Sequence, residues 1–319
     1  MTHTRRSLAR SVLYGSASAI FAPAVLAPGA ASAQTRVAAA QIPAPVILPP
    51  LTVLDTRDQL RVAQASLPFN HRSRTAVQRT LERLDDMGLD LSVGRAILVN
   101  IAAAELIAYE GGVEILRSRV VVGAPRTRTP QLTTYLTTVR FHPPWYVPAS
   151  IAPEIRANGA VGFQQVGGRL IQPPGPTNPL GPLRIGLQDS DGIFLHGTNR
   201  PGLFARPGRA LSHGCVRVER VRDLAAWLLD TTPASVDATL ATGRTQDVHP
   251  LQEVQVALAY LTIWPDRGRQ LVAYADNYGL DAPGARRASF RRVYRAPPQT
   301  PEQQMEAAAR LPPQEDDPL

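Results

Sequence analysis

Apolar and polar positions alternate along the chain in two different rhythms. From Thr75 to Met87, Val77, Leu81, Leu84 and Met87 recur at spacings of four, three and three, which predicts one apolar helix face ending at Gly88. Ala96–Tyr109 and Val113–Val122 are instead two extended apolar runs joined at Glu110-Gly111-Gly112. Gly-Gly permits the positive φ of a tight primed turn, so the pair predicts a hairpin. Leu132–Arg140, rich in Thr, Val and Tyr, predicts a third strand, and shorter strands follow at Leu183–Leu187 and Ile193–Leu195. Glu219–Leu229 places Leu224, Trp227 and Leu228 on one helical face. A second helix starts at Thr232-Pro233, where threonine can cap and proline suits the first helical position. Glu253–Trp264 and Arg269–Tyr274 predict another hairpin around Pro265-Asp266-Arg267-Gly268.

Two stretches between these elements have neither rhythm. His142-Pro143-Pro144-Trp145-Tyr146-Val147-Pro148 is too proline-rich for a central strand and predicts an ordered loop. Residues 159–182 carry Gly167-Gly168, Pro173-Pro174-Gly175-Pro176 and Gly181-Pro182, a connection long enough to suggest a functional loop. Strands outnumber helices, so the expectation is a mainly β, α+β fold with a few packed helices.

The ends differ from the middle. Arg5-Arg6, the small and apolar run Ser11–Leu26 and then Ala31-Ser32-Ala33 read as an export signal over residues 1–33, of the general or the twin-arginine type. Pro23 and Pro28 break that run, so it does not read as a membrane span. Residues 34–70, rich in Ala, Pro and Gln, read as a linker, and residues 282–319 as a tail, basic first and then Pro- and acid-rich.

Charge adds little. The formal +8 comes entirely from arginine, since the chain has no lysine, and removal of residues 1–33 takes away three arginines and no acid. Such a balance suits an anionic polymer, but no basic run is interleaved with aromatics, which argues against nucleic acid as the partner.

The single cysteine changes the picture. Cys215 lies in Ser212-His213-Gly214-Cys215 and cannot form an intramolecular disulfide. His213, two residues earlier, shares a face with it if the segment is extended, and an imidazole beside a thiol is the usual source of thiolate. Gly214 leaves nearby main-chain N–H groups open to a substrate carbonyl. Ser212 is a weaker nucleophile candidate, because Gly-x-Ser-x-Gly is absent; a turn residue is its plainer reading. His196, His213 and Cys215 would be three zinc ligands, but there is no Cys-x-x-Cys, and His142 or His249 would have to complete the set. A reactive thiol, an inert cysteine and a metal ligand thus stay open on the residues alone.

His196-Gly197-Thr198, followed after thirteen residues by Ser212-His213-Gly214-Cys215-Val216-Arg217, resembles the signature of the L,D-transpeptidase (YkuD) catalytic domain, whose members are cysteine enzymes that cross-link bacterial peptidoglycan. Val99-Asn100-Ile101, Val121-Val122-Gly123, Thr129-Pro130, Pro143–Pro148, Pro174–Gly181 and Tyr260–Trp264 extend the resemblance over roughly residues 75–281 and are similar to the large periplasmic Gram-negative branch. It implies a mixed β-sandwich as catalytic domain over residues 71–281, with its signature at 193–229. It also implies a periplasmic location, peptidoglycan stem peptides as partners, and no cofactor or metal.

The resemblance further implies Cys215 as nucleophile, His213 as its base, Gly214 and Cys215 as oxyanion donors, and His196 as a second active-site histidine. Arg217 would hold a substrate carboxylate, with Ser212, Trp145, Tyr146 and Asn178 around the substrate. A thioester would be resolved by an amine, most naturally that of diaminopimelate, giving a 3→3 or 1→3 cross-link. A hydrolase, a protein-attachment or protein-release enzyme and a non-catalytic wall-binding module are the alternatives. Two departures stand out: no room for the separate peptidoglycan-binding region of larger relatives, and a connection from Ile151 to Pro173 short for their capping insertion.

Overall fold

The computed structural model describes residues 53–66, 72–285, 287 and 289–294. The export signal, most of the linker and the tail after residue 294 lie outside them.

The chain opens with helices α1 (Val53–Ser66) and α2 (Arg72–Met87), then strands β1 (Arg95–Asn100), β2 (Glu105–Glu110), β3 (Val113–Gly123) and β4 (Leu132–Phe141). A small unit follows: β5 (Trp145–Tyr146), α3 (Ala152–Ala157), β6 (Gln164–Val166) and β7 (Arg169–Gln172). After it come β8 (Leu183–Leu187), β9 (Leu195–His196), a 3-10 turn at Pro201–Ala205, β10 (Ala210–Ser212) and β11 (Val216–Val218). Helices α4 (Val221–Leu228) and α5 (Pro233–Ala241) precede β12 (Gln246–Val248), β13 (Val254–Ala259), β14 (Ile263–Pro265), β15 (Leu271–Ala273) and β16 (Arg291–Arg292).

The main sheet runs β3-β11-β9-β8-β4-β13-β1-β2, and β2 pairs with β3 again, so the ladder closes on itself. The sheet is mixed: β1 lies parallel to β13 and antiparallel to β2. Both of its faces are covered, which explains why the apolar runs look continuous instead of alternating. Ile97 and Val99 of β1, Leu106 and Ala108 of β2, and Val256 and Leu258 of β13 point into the inner core with α4. Their neighbours Ala96, Leu98, Ile107, Tyr109, Ala257 and Ala259 point outward under Val77, Leu84 and Met87 of α2. Alternate side chains of a strand thus serve two cores.

Five local expectations change. The apolar run from Ala96 to Tyr109 is two strands, because Asn100 Oδ1 accepts from Ala102 N and Ala103 N and turns the chain, with Ala104 at φ +51. Part of the linker is α1, tied to α2 by the buried Leu60 and by the Arg57–Asp85 ion pair at 2.7 Å. Residues 253–264 break at Tyr260–Thr262, so the predicted hairpin is the shorter β14–β15 pair. In the tail, β16 adds to β4 in parallel. Where a proline-rich loop and long connection were expected, β5, β6 and β7 pair into their own three-stranded sheet. Val147, Ala152 and Leu170 form its small core, so even a short insertion supplies a wall.

Candidate active site

Strand register builds the site. Arg184 of β8 stands opposite His196 of β9, and His196 stands opposite Arg217 of β11. Residues 182 to 217 thereby bring two arginines and a histidine into one row across three strands. Cys215 immediately precedes β11, and its sulfur lies 3.5 Å from the carbonyl oxygen of Gly192.

The turn that presents Cys215 is tightly specified. Ser212 Oγ donates to Cys215 O at 2.6 Å and accepts from Gly214 N at 3.1 Å. Thr127 Oγ1 and Ala124 N both donate to Ser212 O, and Thr129 Oγ1 donates to Gly214 O at 2.7 Å. Gly214 sits at φ +117, and a Cβ there would meet Ile193 Cδ1 at 3.1 Å, so glycine is required twice over.

A cleft of about 950 Å³ opens over this turn. Cys215, His213, His196, Arg217 and Ser212 line its floor, and Trp145 and Tyr146 line the wall built by the small unit. The arrangement separates the predicted residues by role. Ser212 spends its hydroxyl on the turn. Trp145 is half-buried against Phe163, with ring centroids 6.0 Å apart, whereas Tyr146 is 52% exposed.

Asn178 does not face the cleft. It is fully buried, donating to the carbonyls of Pro143, Gln172 and Pro173 and accepting from Leu180 N. Its amide stitches the small unit to the domain, because burying an amide is tolerable only when its hydrogen bonds are made. Gly214 N–H is likewise committed to Ser212, so of the two expected oxyanion donors only that of Cys215 has no partner among the described residues.

Electrostatics set the protonation states. Burial raises the Cys215 thiol above its ordinary value, against the opposing pull of the Phe194 backbone and of Arg184 and Arg217. Burial first, and Arg217 second, hold His196 down to about 3, so its imidazole is neutral at neutral pH. His196 Nδ1 is buried without a hydrogen-bond partner among the described residues. His213 is exposed, and no hydrogen bond joins it to Cys215 among the described residues.

Arg184 and Arg217, each lowered chiefly by burial, lack a carboxylate partner among the described residues. Arg217 Nε is buried and has no hydrogen-bond partner among the described residues, and Arg184 lies over the Phe194 ring at 4.7 Å. This contrasts with Arg83, Arg95, Arg117 and Arg140 elsewhere, all paired with acids. Sequence reasoning passed over two residues: Arg184, which does not line the cleft but stands beside His196 and acts on His196 and Cys215 through its charge, and Arg200, which lines the cleft.

No group of three His, Cys, Asp or Glu is placed to hold a metal ion among the described residues. His142 Nε2 lies 2.7 Å from Leu240 O and His249 Nδ1 lies 3.1 Å from Thr137 O, so both are engaged elsewhere.

Residues 94–236 match the family model of the L,D-transpeptidase catalytic domain, YkuD. A Haemophilus influenzae protein named "Putative L,D-transpeptidase" is 30% identical over 217 residues, covering 58% of this chain and 44% of that protein. The chain thus spans under half the length of this curated relative. Among solved structures, an L,D-transpeptidase from Mycobacterium smegmatis aligns at 15% identity over 51% of this chain and 58% of that one, with a TM-score of 0.30. An L,D-transpeptidase from Stackebrandtia nassauensis aligns at 13% identity over 63% and 74%, with a TM-score of 0.26.

Proposed function

We propose, from the match of residues 94–236 to the L,D-transpeptidase (YkuD) catalytic-domain model, that this protein is a member of that family and a cysteine acyltransferase cross-linking peptidoglycan stem peptides. One observation carries the reading: the only cysteine lies at the floor of a cleft shared with two histidines and an arginine that lacks a carboxylate partner among the described residues.

The reaction we propose has two halves. His213 takes the thiol proton and the sulfur of Cys215 attacks a peptide carbonyl of the donor stem. The carbonyl oxygen, now an anion, accepts from Cys215 N–H, where a preorganised donor acts without reorganisation cost. The C–N bond breaks, the departing amine takes the proton, and a thioester remains on Cys215. A neighbouring stem's amine, that of diaminopimelate, then attacks the thioester carbonyl and returns the thiol. No step requires a cofactor.

Burial keeps most of the thiol protonated, so His213 must approach the sulfur as substrate enters; hydrogen bonds of this kind commonly tighten only in the complex. Arg217 suits a carboxylate of a stem peptide, because a guanidinium desolvated without an anion gains most when one arrives, and Arg200, exposed along the cleft, adds a second positive charge. The periplasm is the compartment we propose, on the N-terminal export reading and the location of the substrate.

Mass spectrometry of muropeptides tests the reading. Sacculi treated with the wild-type protein should gain cross-linked dimers absent with Cys215→Ala. Shortened monomers in place of dimers would reassign the enzyme as a hydrolase, and unchanged muropeptides would remove both.

A further inference from the structure

The Thr129-Pro130 pair has no part in the chemistry above, yet Thr129 sits at the centre of a closed hydrogen-bond circuit under the catalytic turn. Its hydroxyl accepts from Gly123 N at 2.9 Å and donates to Gly214 O at 2.7 Å. Its own N–H donates to the Tyr278 hydroxyl at 3.2 Å, and that hydroxyl donates to Gly123 O at 2.6 Å. Thr129 is 3% exposed, and the approach is so close that a Cβ on Gly123 would lie 2.4 Å from Thr129 N. Each of the two hydroxyls in this circuit accepts one hydrogen bond and donates another, so both orientations are fixed.

The consequence follows from peptide geometry. A trans peptide is planar, with its C=O and N–H pointing opposite ways. The Gly214–Cys215 peptide has its carbonyl held by Thr129 on the buried side, so its N–H, that of Cys215, must point away from Thr129. On that side Cys215 lines the cleft. Gly214 lies at φ +117 and has no Cβ, so its flanking peptides are the ones freest to rotate, and something must stop them.

We infer that Thr129 is a positioning residue which, through the carbonyl of Gly214, aims the Cys215 N–H at the oxygen of the acyl intermediate. This rests on Cys215 being the acylated nucleophile. Tyr278 braces the far side of the circuit, and its ring stacks on Tyr260 with centroids 5.0 Å apart.

Two electrophiles separate an oxyanion effect from a general loss of thiol reactivity. A carbapenem acylates the sulfur: the sulfur adds to the lactam carbonyl, the ring C–N bond breaks and the nitrogen takes the proton, by way of an oxyanion. Iodoacetamide alkylates the same sulfur by displacing iodide and forms no oxyanion. In Thr129→Val, acylation should slow by about 10- to 100-fold, less than or comparable to outright removal of such a donor, while alkylation stays within about 2-fold. Thr129→Ser, which keeps the hydroxyl, should restore acylation to within a few-fold of wild type.

Equal acylation by wild type and Thr129→Val, or a parallel fall in both reactions that Thr129→Ser does not repair, would overturn the inference. Should Thr129→Val fail to fold, Tyr278→Phe decides: it keeps the stacked ring, removes the hydroxyl brace, and should slow acylation selectively, whereas unchanged acylation counts against the circuit. A wild-type protein alkylated but never acylated would instead remove the acyltransferase reading itself.

Discussion

His196 shows how much a residue's chemistry depends on what register places beside it. An unfolded imidazole titrates near 6.5, whereas in the fold burial and Arg217 lower that to about 3. Between those values the unfolded chain binds a proton that the native state refuses. Stability present above pH 6.5 is therefore lost as pH falls, with a slope of about 1.4 kcal/mol per unit from this one group. Between pH 7 and pH 4.5 the wild type should lose about 2–3 kcal/mol more than His196→Asn in urea unfolding. Acid losses from carboxylates such as Asp247, held low by Arg140, are common to both proteins and cancel. Equal losses would mean that His196 is not held neutral. The same residue exposes a limit of sequence reading: its spacing from Cys215 marks it as an active-site candidate, but its charge state depends on arginines 12 and 21 residues away in the chain. Asn178 is the converse case, a polar residue in a motif-rich loop whose burial and four internal hydrogen bonds make it a structural tie.

At the scale of elements, strength of pattern tracked what could be read. The α2 helix, with one clear apolar face, and β3 and β4 were legible because their side chains fill extended cores. Helix α1 was not, since it offers Leu60 and little else, and holds its place through α2. The small unit of β5, α3, β6 and β7 was illegible for a related reason: its strands are two to four residues long and its core is three buried side chains. A core so small also predicts local opening at lower free energy than the sheet. In native-state hydrogen exchange, amides of β6 and β7 should exchange at least about 10-fold faster than those of β1 and β13, a gap of about 1.4 kcal/mol or more. Equal protection would show the cleft wall to be a fixed part of the domain.

At the scale of the molecule, the helical layer and the catalytic turn share one polar network through the core. Arg83 of α2 pairs with Asp281 at 2.7 Å, donates to Tyr260 O and lies 5.4 Å from the Tyr260 ring, and that ring stacks on Tyr278 beneath Thr129. Arg83 and Asp281 are almost wholly buried, so removing one partner strands a charge in the interior. Arg83→Leu should cost about 3–5 kcal/mol in urea unfolding at neutral pH, and Arg83→Leu combined with Asp281→Asn should recover part of it. A single-variant cost below about 1 kcal/mol would show that water reaches the pair.

The sequence by itself determined the mainly β class, the α2 and α4 helices, and the cysteine with its two histidines, because periodicity and residue chemistry are local properties that neighbours along the chain carry. Tertiary structure alone decided which groups meet. Pairing of β9 with β8 and with β11 aligned Arg184, His196 and Arg217, and the fold brought Thr129 to Gly214 across 85 residues. Register between strands distant in sequence depends on how two cores and a closed ladder are satisfied at once, and no single stretch of the chain records that.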